Sequence, residues 1–226
     1  MRQSVIVVHD DPKSISSEAF RMLRTNLQYT SPDKELRSLI VTSAGAGEGK
    51  STVSSNLAAA MAQSGIETCI VGCDVRKSTL HHIFGVPNAP GLTSVLVGQA
   101  KLEDAILKTR VPGVSVLPSG PIPPNPSELL QSKTMKEVIS DLKEKFEFLI
   151  LDTPPVVAVA DTLLLSRQVD GMILVVAANM VPKDVLLHAK ALIDRANANL
   201  LGVVLNRVRA EDQRGYQYYY YYSSDE

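Results

Sequence analysis

The segment Ala44-Gly45-Ala46-Gly47-Glu48-Gly49-Lys50-Ser51-Thr52 constrains this chain more than any other. It follows the short apolar run Leu39-Ile40-Val41-Thr42 and opens a helical stretch from Lys50 to about Gln63, with Gly65 placed to cap that helix. Strand, glycine-rich turn and helix, in that order, are the context that confirms a phosphate-binding loop. Successive backbone amides form a concave nest for anionic oxygens, and the helix N-terminus adds the positive end of its dipole. Glycine lets the main chain come close. Lys50 can then reach the β- and γ-phosphates of ATP, and the Ser51 hydroxyl can ligate magnesium. The strict pattern has glycine where Ala44 stands. A chance glycine-rich turn is the competing reading; the strand before it and the Lys-Ser-Thr after it weigh against that.

The rest of the chain repeats the alternation. Apolar runs at Thr68-Cys69-Ile70-Val71, Val114-Ser115-Val116-Leu117, Phe148-Leu149-Ile150-Leu151, Met172 to Ala177 and Leu201 to Asn206 read as strands, and Pro182 to Ala196 as a helix. Pro121-Ile122-Pro123-Pro124-Asn125-Pro126 must be an extended loop, since proline denies helix to its predecessor, and Ser127 reads as the N-cap of a helix from Glu128. Short strands alternating with helices give right-handed crossovers and a parallel sheet covered on both faces. The fold class is therefore α/β, a three-layer P-loop NTPase with a mostly parallel central sheet. Residues 1–35 read as a polar N-terminal arm with one helical stretch, 36–208 as the catalytic domain, and 209–226 as a flexible tail without periodic pattern.

Composition excludes several classes. Of 226 residues, 45% are hydrophobic and 21% charged, and the net charge is −1, so no global field points to nucleic acid or an anionic membrane. Cys69 and Cys73 read as buried small hydrophobes, and His9, His81, His82 and His188 form no ligand spacing. The N-terminus turns acidic too soon for a signal peptide, and no apolar run reaches the roughly 18 residues that span a bilayer. A cytoplasmic location is the expectation.

Two strand ends carry carboxylates. Asp152 closes Phe148–Leu151 and is followed at once by Thr153-Pro154-Pro155, which favours a metal-holding role beside the loop over a helix cap. Asp74 and Arg76 follow Thr68–Val71 at the same sheet edge, and spacing alone leaves them balanced between active-site electrostatics and a surface ion pair. At the far end, Tyr216, Tyr218, Tyr219, Tyr220, Tyr221 and Tyr222 precede an acidic terminus. The alternative for them is a strand edge or an aggregating segment. So many adjacent phenols have no packing rationale, but they suit a phosphoryl acceptor. In the arm, Glu18, Arg21 and Arg24 recur every three residues along one helical face.

Together these features resemble the bacterial tyrosine kinases, P-loop proteins related to the MinD/ParA ATPases. The resemblance rests on the Walker A segment 44–52, the Walker B run ending in Asp152, and a Walker A′ motif ending in Asp74-Val75-Arg76. It rests also on Glu18-x-x-Arg21-x-x-Arg24, the Ser119–Pro126 loop and the tyrosine cluster. It implies an ATP- and Mg2+-dependent protein tyrosine kinase with Lys50, Asp74 and Asp152 as catalytic residues. Gly45, Ala46, Gly47, Glu48, Gly49, Lys50, Ser51, Thr52, Asn206 and Arg207 would contact ATP, and Ser51, Asp74 and Asp152 the metal. The six tail tyrosines would be the phosphorylation sites. Glu18, Arg21 and Arg24 would lie at the interface of a ring, an octamer by this resemblance. The implied partners are the cytoplasmic tail of a membrane activator that recruits the kinase to the membrane's inner face, a tyrosine phosphatase, and protein substrates such as polysaccharide-synthesis enzymes of capsule or exopolysaccharide export. No nucleic acid is implied.

One departure matters. The family's Walker A′ usually carries two aspartates before its arginine, and here the first is Gly72. Restoring that carboxylate is expected to raise the rate. Gly72 is also the one support for a rival reading, a nucleotide-sensing assembly subunit with little catalysis. A second rival, a MinD/ParA-type positioning ATPase, expects a lysine five residues before Lys50, where this chain has Gly45.

Overall fold

All six expected strands form, and a seventh, two residues long, joins them at one edge. The structure is a computed structural model describing residues 6–30 and 35–208. Its elements run α1 (Val7–Asp10), α2 (Ile15–Tyr29), β1 (Ser38–Ser43), α3 (Lys50–Gln63), β2 (Thr68–Gly72), α4 (Leu80–Phe84), α5 (Leu92–Leu96) and α6 (Leu102–Ala105). They continue β3 (Leu107–Lys108), β4 (Val114–Leu117), α7 (Pro126–Gln131), α8 (Lys133–Lys145), β5 (Phe148–Asp152), α9 (Asp161–Leu165), β6 (Gly171–Ala177), α10 (Lys183–Arg195) and β7 (Leu200–Asn206).

The sheet order is β3-β4-β2-β5-β1-β6-β7. Every pairing is parallel except β3 on β4. β1 and β2 are wholly buried, as strands covered on both faces must be. Period-two alternation divides their side chains between two cores: Ile40 and Cys69 pack beneath α8 and α10, while Leu39, Val41 and Ile70 pack beneath α3. Both cysteines are buried thiols, and burial pushes Cys69 up to about 12.

The N-terminal arm is more than a polar extension. Ile6 and Val8 are fully buried, and α2 packs along α3, which has no solvent-facing stripe because it is sandwiched between the sheet and this arm. Two buried-side bonds fix residue 8: its amide donates to Asn56 Oδ1 (3.1 Å), and its carbonyl accepts from Gln63 Nε2 (2.8 Å). Ser14 caps α2 by accepting from the Ser17 amide.

Ser127 does not cap a helix. Helix α7 begins at Pro126 with Asn125 as its N-cap, and proline's fixed φ suits that first position. Ser127 is already inside the first turn, and the capping serine is Ser132, which serves α8. Strand β3 was not legible because two residues carry no periodicity. No described helix is long and apolar enough to cross a membrane.

Candidate active site

Register places the chemistry. Val41 of β1 and Gly72 of β2 both sit opposite Asp152 of β5, so β2 and β5 end at one level and β1 runs two residues past it. The phosphate-binding loop leaves β1 there and enters α3. Gly47 and Gly49 adopt φ of +81° and +93°, in the left-handed region that glycine enters without penalty. At Gly49 a Cβ would also lie 2.2 Å from Asn206 Nδ2.

Not every loop residue faces the nest. Glu48 is 1% exposed, and its carboxylate turns inward to accept from the Gly45 amide and, at 3.1 Å, from the Ala177 amide of β6. The carboxylate therefore braces the loop against β6, and it already occupies one of the amides expected to face phosphate. Asn206, at the end of β7, donates from Nδ2 to the Glu48 carbonyl (2.8 Å) and so abuts the loop. Arg207 follows in a left-handed conformation, φ +59°, its amide bonded to Asn206 Oδ1 (2.9 Å) and its guanidinium against Met180 Sδ.

Lys50 lies between two carboxylates: Nζ is 2.9 Å from Asp74 Oδ2 and 3.7 Å from Asp152 Oδ1. Ser51 donates to Asp152 Oδ2 (2.7 Å), and Thr79 Oγ1 donates to Ser51 Oγ (2.9 Å). Ser54, one turn along α3, reaches Asp152 Oδ1 at 3.2 Å. Asp74 is held by its own loop: its amide donates to the Asp152 carbonyl (3.0 Å), and its Oδ1 accepts from the Lys77 amide (3.0 Å).

The electrostatics of this cluster are unbalanced. Burial alone would pull the Lys50 ammonium down, but Asp152 and Asp74 more than offset it, and its pKa is raised. Asp152 is also raised, first by burial and further by the Asp74 charge, against the pull of Lys50 and Ser51. The two directions look opposed, since one favours the charged form and the other disfavours it. They agree once charges are counted: two buried carboxylates share one ammonium, and the cluster is one positive charge short. Among the described residues no three His, Cys, Asp or Glu side chains form a ready-made cation cage. Ser51 with Asp152 and Asp74 is instead the sparse, all-oxygen set that suits magnesium completed by phosphate and water. These residues fit the ion.

The possible Asp74–Arg76 pair does not form. Arg76 turns away, and its Nε donates to Asp161 Oδ2 (2.8 Å). Gly72 leaves no vacancy for a second aspartate: a Cβ there would lie 2.5 Å from Ser119 Oγ and 2.8 Å from the Ser119 amide nitrogen. Glu18 and Arg21 pair along α2, Arg21 also donates to the Pro12 carbonyl (2.8 Å), and Arg24 donates to the Ala60 carbonyl (3.1 Å) in the last turn of α3. The six tail tyrosines lie outside the described residues. Ser54, Thr79 and Asp161 were missed. Ser54 was findable, four residues after Lys50 on one helical face; nothing in spacing marks the other two.

A family model described as ParA, NUBPL iron-transfer P-loop NTPase, matches residues 36–225. Tyrosine-protein kinase YwqD of Bacillus subtilis is 40% identical over 219 residues, covering 97% of this chain and 92% of that protein. The crystal structure of the chimerical protein CapA2B2 superposes with TM-score 0.87 at 44% identity, over 90% of this chain and 89% of that one. The kinase domain of the Escherichia coli tyrosine kinase ETK follows with TM-score 0.85 at 31% identity, over 91% and 82%. Nucleotide binding belongs to such a P-loop fold, and at this identity and coverage the chain is a member of the bacterial tyrosine-protein kinase family.

Proposed function

We propose that this kinase transfers the γ-phosphoryl of Mg-ATP to tyrosine, first to Tyr216 and Tyr218 to Tyr222 of a neighbouring subunit, then to other proteins. The observation that supports this most directly is Lys50 set between Asp74 and Asp152 beside the phosphate-binding loop. As nucleotide enters, Lys50 exchanges the carboxylates for the β- and γ-phosphates, and Asp74 is left free of its ammonium partner. A phenol with pKa near 10 needs a base at neutral pH. Asp74 takes the phenolic proton while the phenol oxygen bonds to the γ-phosphorus. The bond to the β–γ bridging oxygen breaks, and ADP leaves with that electron pair. Ser51, Asp152 and Asp74 would hold magnesium, which supplies charge neutralisation at the transferring group. Asn206, against the loop, and Arg207 beside it read the adenine.

The wider reading treats residues 1–35 as an oligomerisation arm, 36–208 as the kinase domain and 209–226 as the substrate tail. Ile15, Met22 and Tyr29 recur every seven residues along α2 with 71%, 51% and 80% exposure, an apolar stripe that suits a neighbouring subunit of a ring. From Asn206 to the tyrosines is roughly 10–16 residues, enough for a flexible chain to reach on the order of 20 Å into the next subunit. The activator is the cytoplasmic tail of a membrane protein, which brings this kinase to the inner face of the membrane. A phosphatase resets the tail, and the output is control of capsular or exopolysaccharide synthesis and export.

The experiment is mass spectrometry of the intact tail after incubation with Mg-ATP and an activator fragment. Phosphate on the tyrosine cluster is expected. A tail that stays unmodified while ATP is hydrolysed would move the chain to the positioning ATPases.

A further inference from the structure

Asp74 sits in residues 73–79, which form neither helix nor strand between β2 and α4. Arg76 reaches out of that loop to both neighbours. Its Nε donates to Asp161 Oδ2 at 2.8 Å and its Nη2 to Ser127 Oγ at 3.0 Å, while Ser127 donates in turn to Asp161 Oδ1 at 2.6 Å. Asp161 has no exposed side-chain surface, so its charge is compensated by this guanidinium and one hydroxyl. Arg76 is in the loop after β2, Ser127 in the first turn of α7 after β4, and Asp161 opens α9 after β5; these strands are adjacent in the sheet in the order β4-β2-β5. Arg76, in the middle segment, clasps the helix start on either side.

The clasp has a consequence for the reaction. Without nucleotide, the Lys50 ammonium draws the Asp74 and Asp152 carboxylates toward one point. Once Lys50 turns to phosphate, that ammonium no longer sets their spacing, and the A′ loop itself must hold Asp74 in place. The main-chain bond from Asp74 to Asp152 fixes the foot of the A′ loop. The remainder of the loop is tied across to the segment after Asp152 by Arg76 and Asp161. We propose that Arg76 is a positioning residue for phosphoryl transfer, acting with Asp161 and Ser127 to hold Asp74 at a fixed distance from Asp152 during the step in which Lys50 is engaged elsewhere. None of the three touches the loop that binds nucleotide, so their effect falls on turnover and not on nucleotide affinity. This rests on the kinase reading above.

The test uses the full chain with Mg-ATP and a tyrosine peptide, and follows kcat, KM and the affinity for a non-hydrolysable ATP analogue. Asp161→Asn and Arg76→Gln are expected to lower kcat on the order of 10²-fold, the scale of a small misplacement of a reacting group. Analogue affinity should stay within about twofold. Arg76→Lys, which keeps the charge but loses the fork, should recover part of the lost rate. Because a buried carboxamide at 161 can unfold the chain, Ser127→Ala serves as the mild variant. It keeps the ion pair and should lose about 3–10-fold in kcat, the worth of one hydrogen bond, while the chain stays folded and melts only a few degrees lower. Analogue affinity falling in step with kcat would mean general loosening and overturn the proposal, as would a folded Ser127→Ala protein with wild-type kcat. Wild-type protein that transfers no phosphate to any tyrosine would sink the kinase reading and the clasp with it; wild type that transfers while the variants match it sinks the clasp alone.

Discussion

Two ion clusters stand at the same sheet edge, and they differ in charge balance. Lys50, Asp74 and Asp152 bring one cation to two buried carboxylates, while Arg76 brings one cation to one, Asp161, with Ser127 completing the bonding. The balanced pair is a closed arrangement that stabilises the loops it joins. The unbalanced one is short of positive charge, and in the proposed reaction it exchanges its partners: a nucleotide would draw Lys50 away and deliver a metal in return. Burial in both places raises the strength of each interaction, but only underneutralised burial makes a site.

The largest effect comes from removing the shared cation. Lys50→Met should reduce tail phosphorylation by at least about 10²–10³-fold, because the transferring phosphoryl loses its fixed positive partner. The chain should still fold, since the apo cluster is then two carboxylates that can share a proton. Phosphate incorporation and circular dichroism on the same preparation check both halves. Residual transfer near the wild-type rate would show that the cluster is structural.

The imbalance also predicts a pH dependence. Asp152 holds its proton more tightly folded than unfolded, so in the window from its ordinary value of 3.8 up to its raised folded value the native state binds more protons. Stability from this group therefore falls as pH rises through that window. Lys50 acts elsewhere: its pKa is raised above 10.5, so its contribution is present below that value and lost as pH climbs through the folded one. Asp10, lowered chiefly by its hydrogen bonds with Arg110, has the reverse sign and loses stability as pH falls. Melting curves of nucleotide-free wild type and Asp152→Asn between about pH 4 and 7 isolate the first term, because Asp10 is common to both. The difference between the curves should favour the variant more strongly at the upper end. A difference that does not change with pH would mean Asp152 is not strained in the apo site.

How much of this was legible beforehand follows from what a sequence encodes locally. The loop 44–52, Asp152 and the strands announce themselves by pattern, because a phosphate nest needs glycines in order and a covered parallel strand needs an unbroken apolar run. Spacing leaves Asp74 balanced between two roles, since it says nothing about which way a side chain turns after a strand. The structure settles its direction, inward to Lys50, and sends Arg76 outward. Asp161 and Thr79 could not have been found: they meet their partners across 85 and 28 residues of chain, with no periodicity to mark them. Glu48 reads as a nucleotide contact from its place in the motif; that its buried carboxylate also braces the loop is something position alone does not reveal.

A third, smaller test adds a carboxylate to the underneutralised side. Reasoning from the missing first aspartate of Walker A′ expected Gly72→Asp to speed the kinase. The close approach of Ser119 to Gly72 reverses that expectation. A side chain at 72 must displace the backbone after β4, at a cost of about 1–3 kcal/mol, and it brings a further negative charge to a cluster already short of cations. The variant should melt lower and turn over no faster than wild type. A faster enzyme with unchanged stability would mean that the loop after β4 yields readily and that the lost aspartate is a true deficit.

The smallest effect concerns the opposite end of the same helix. Lys50 opens α3, and Arg24 of α2 sits on its last turn, donating from Nη1 to the Ala60 carbonyl. A guanidinium there meets a carbonyl left unpaired by the helix and the negative end of its dipole, together worth about 1 kcal/mol. Its Nε, however, is buried without an acceptor among the described residues, which offsets part of that gain. Arg24→Ala should therefore cost the isolated subunit about 1 kcal/mol or less, visible as a small shift in denaturant midpoint. Oligomeric mass is the more sensitive reporter of the ring proposed above. If Arg24 works with Glu18 and Arg21 at a ring interface, light scattering should show the unphosphorylated variant at the mass of a monomer while its fold is nearly untouched. The same loss of mass should follow phosphorylation of the wild-type tail, where each phosphate adds about −1.5 to −2 charges beside an acidic terminus. An Arg24→Ala protein that keeps the wild-type mass and loses only subunit stability would restrict this arginine to capping α3. The arm would then be an internal brace for the phosphate-binding helix, and the apolar stripe of Ile15, Met22 and Tyr29 would have to account for any assembly by itself.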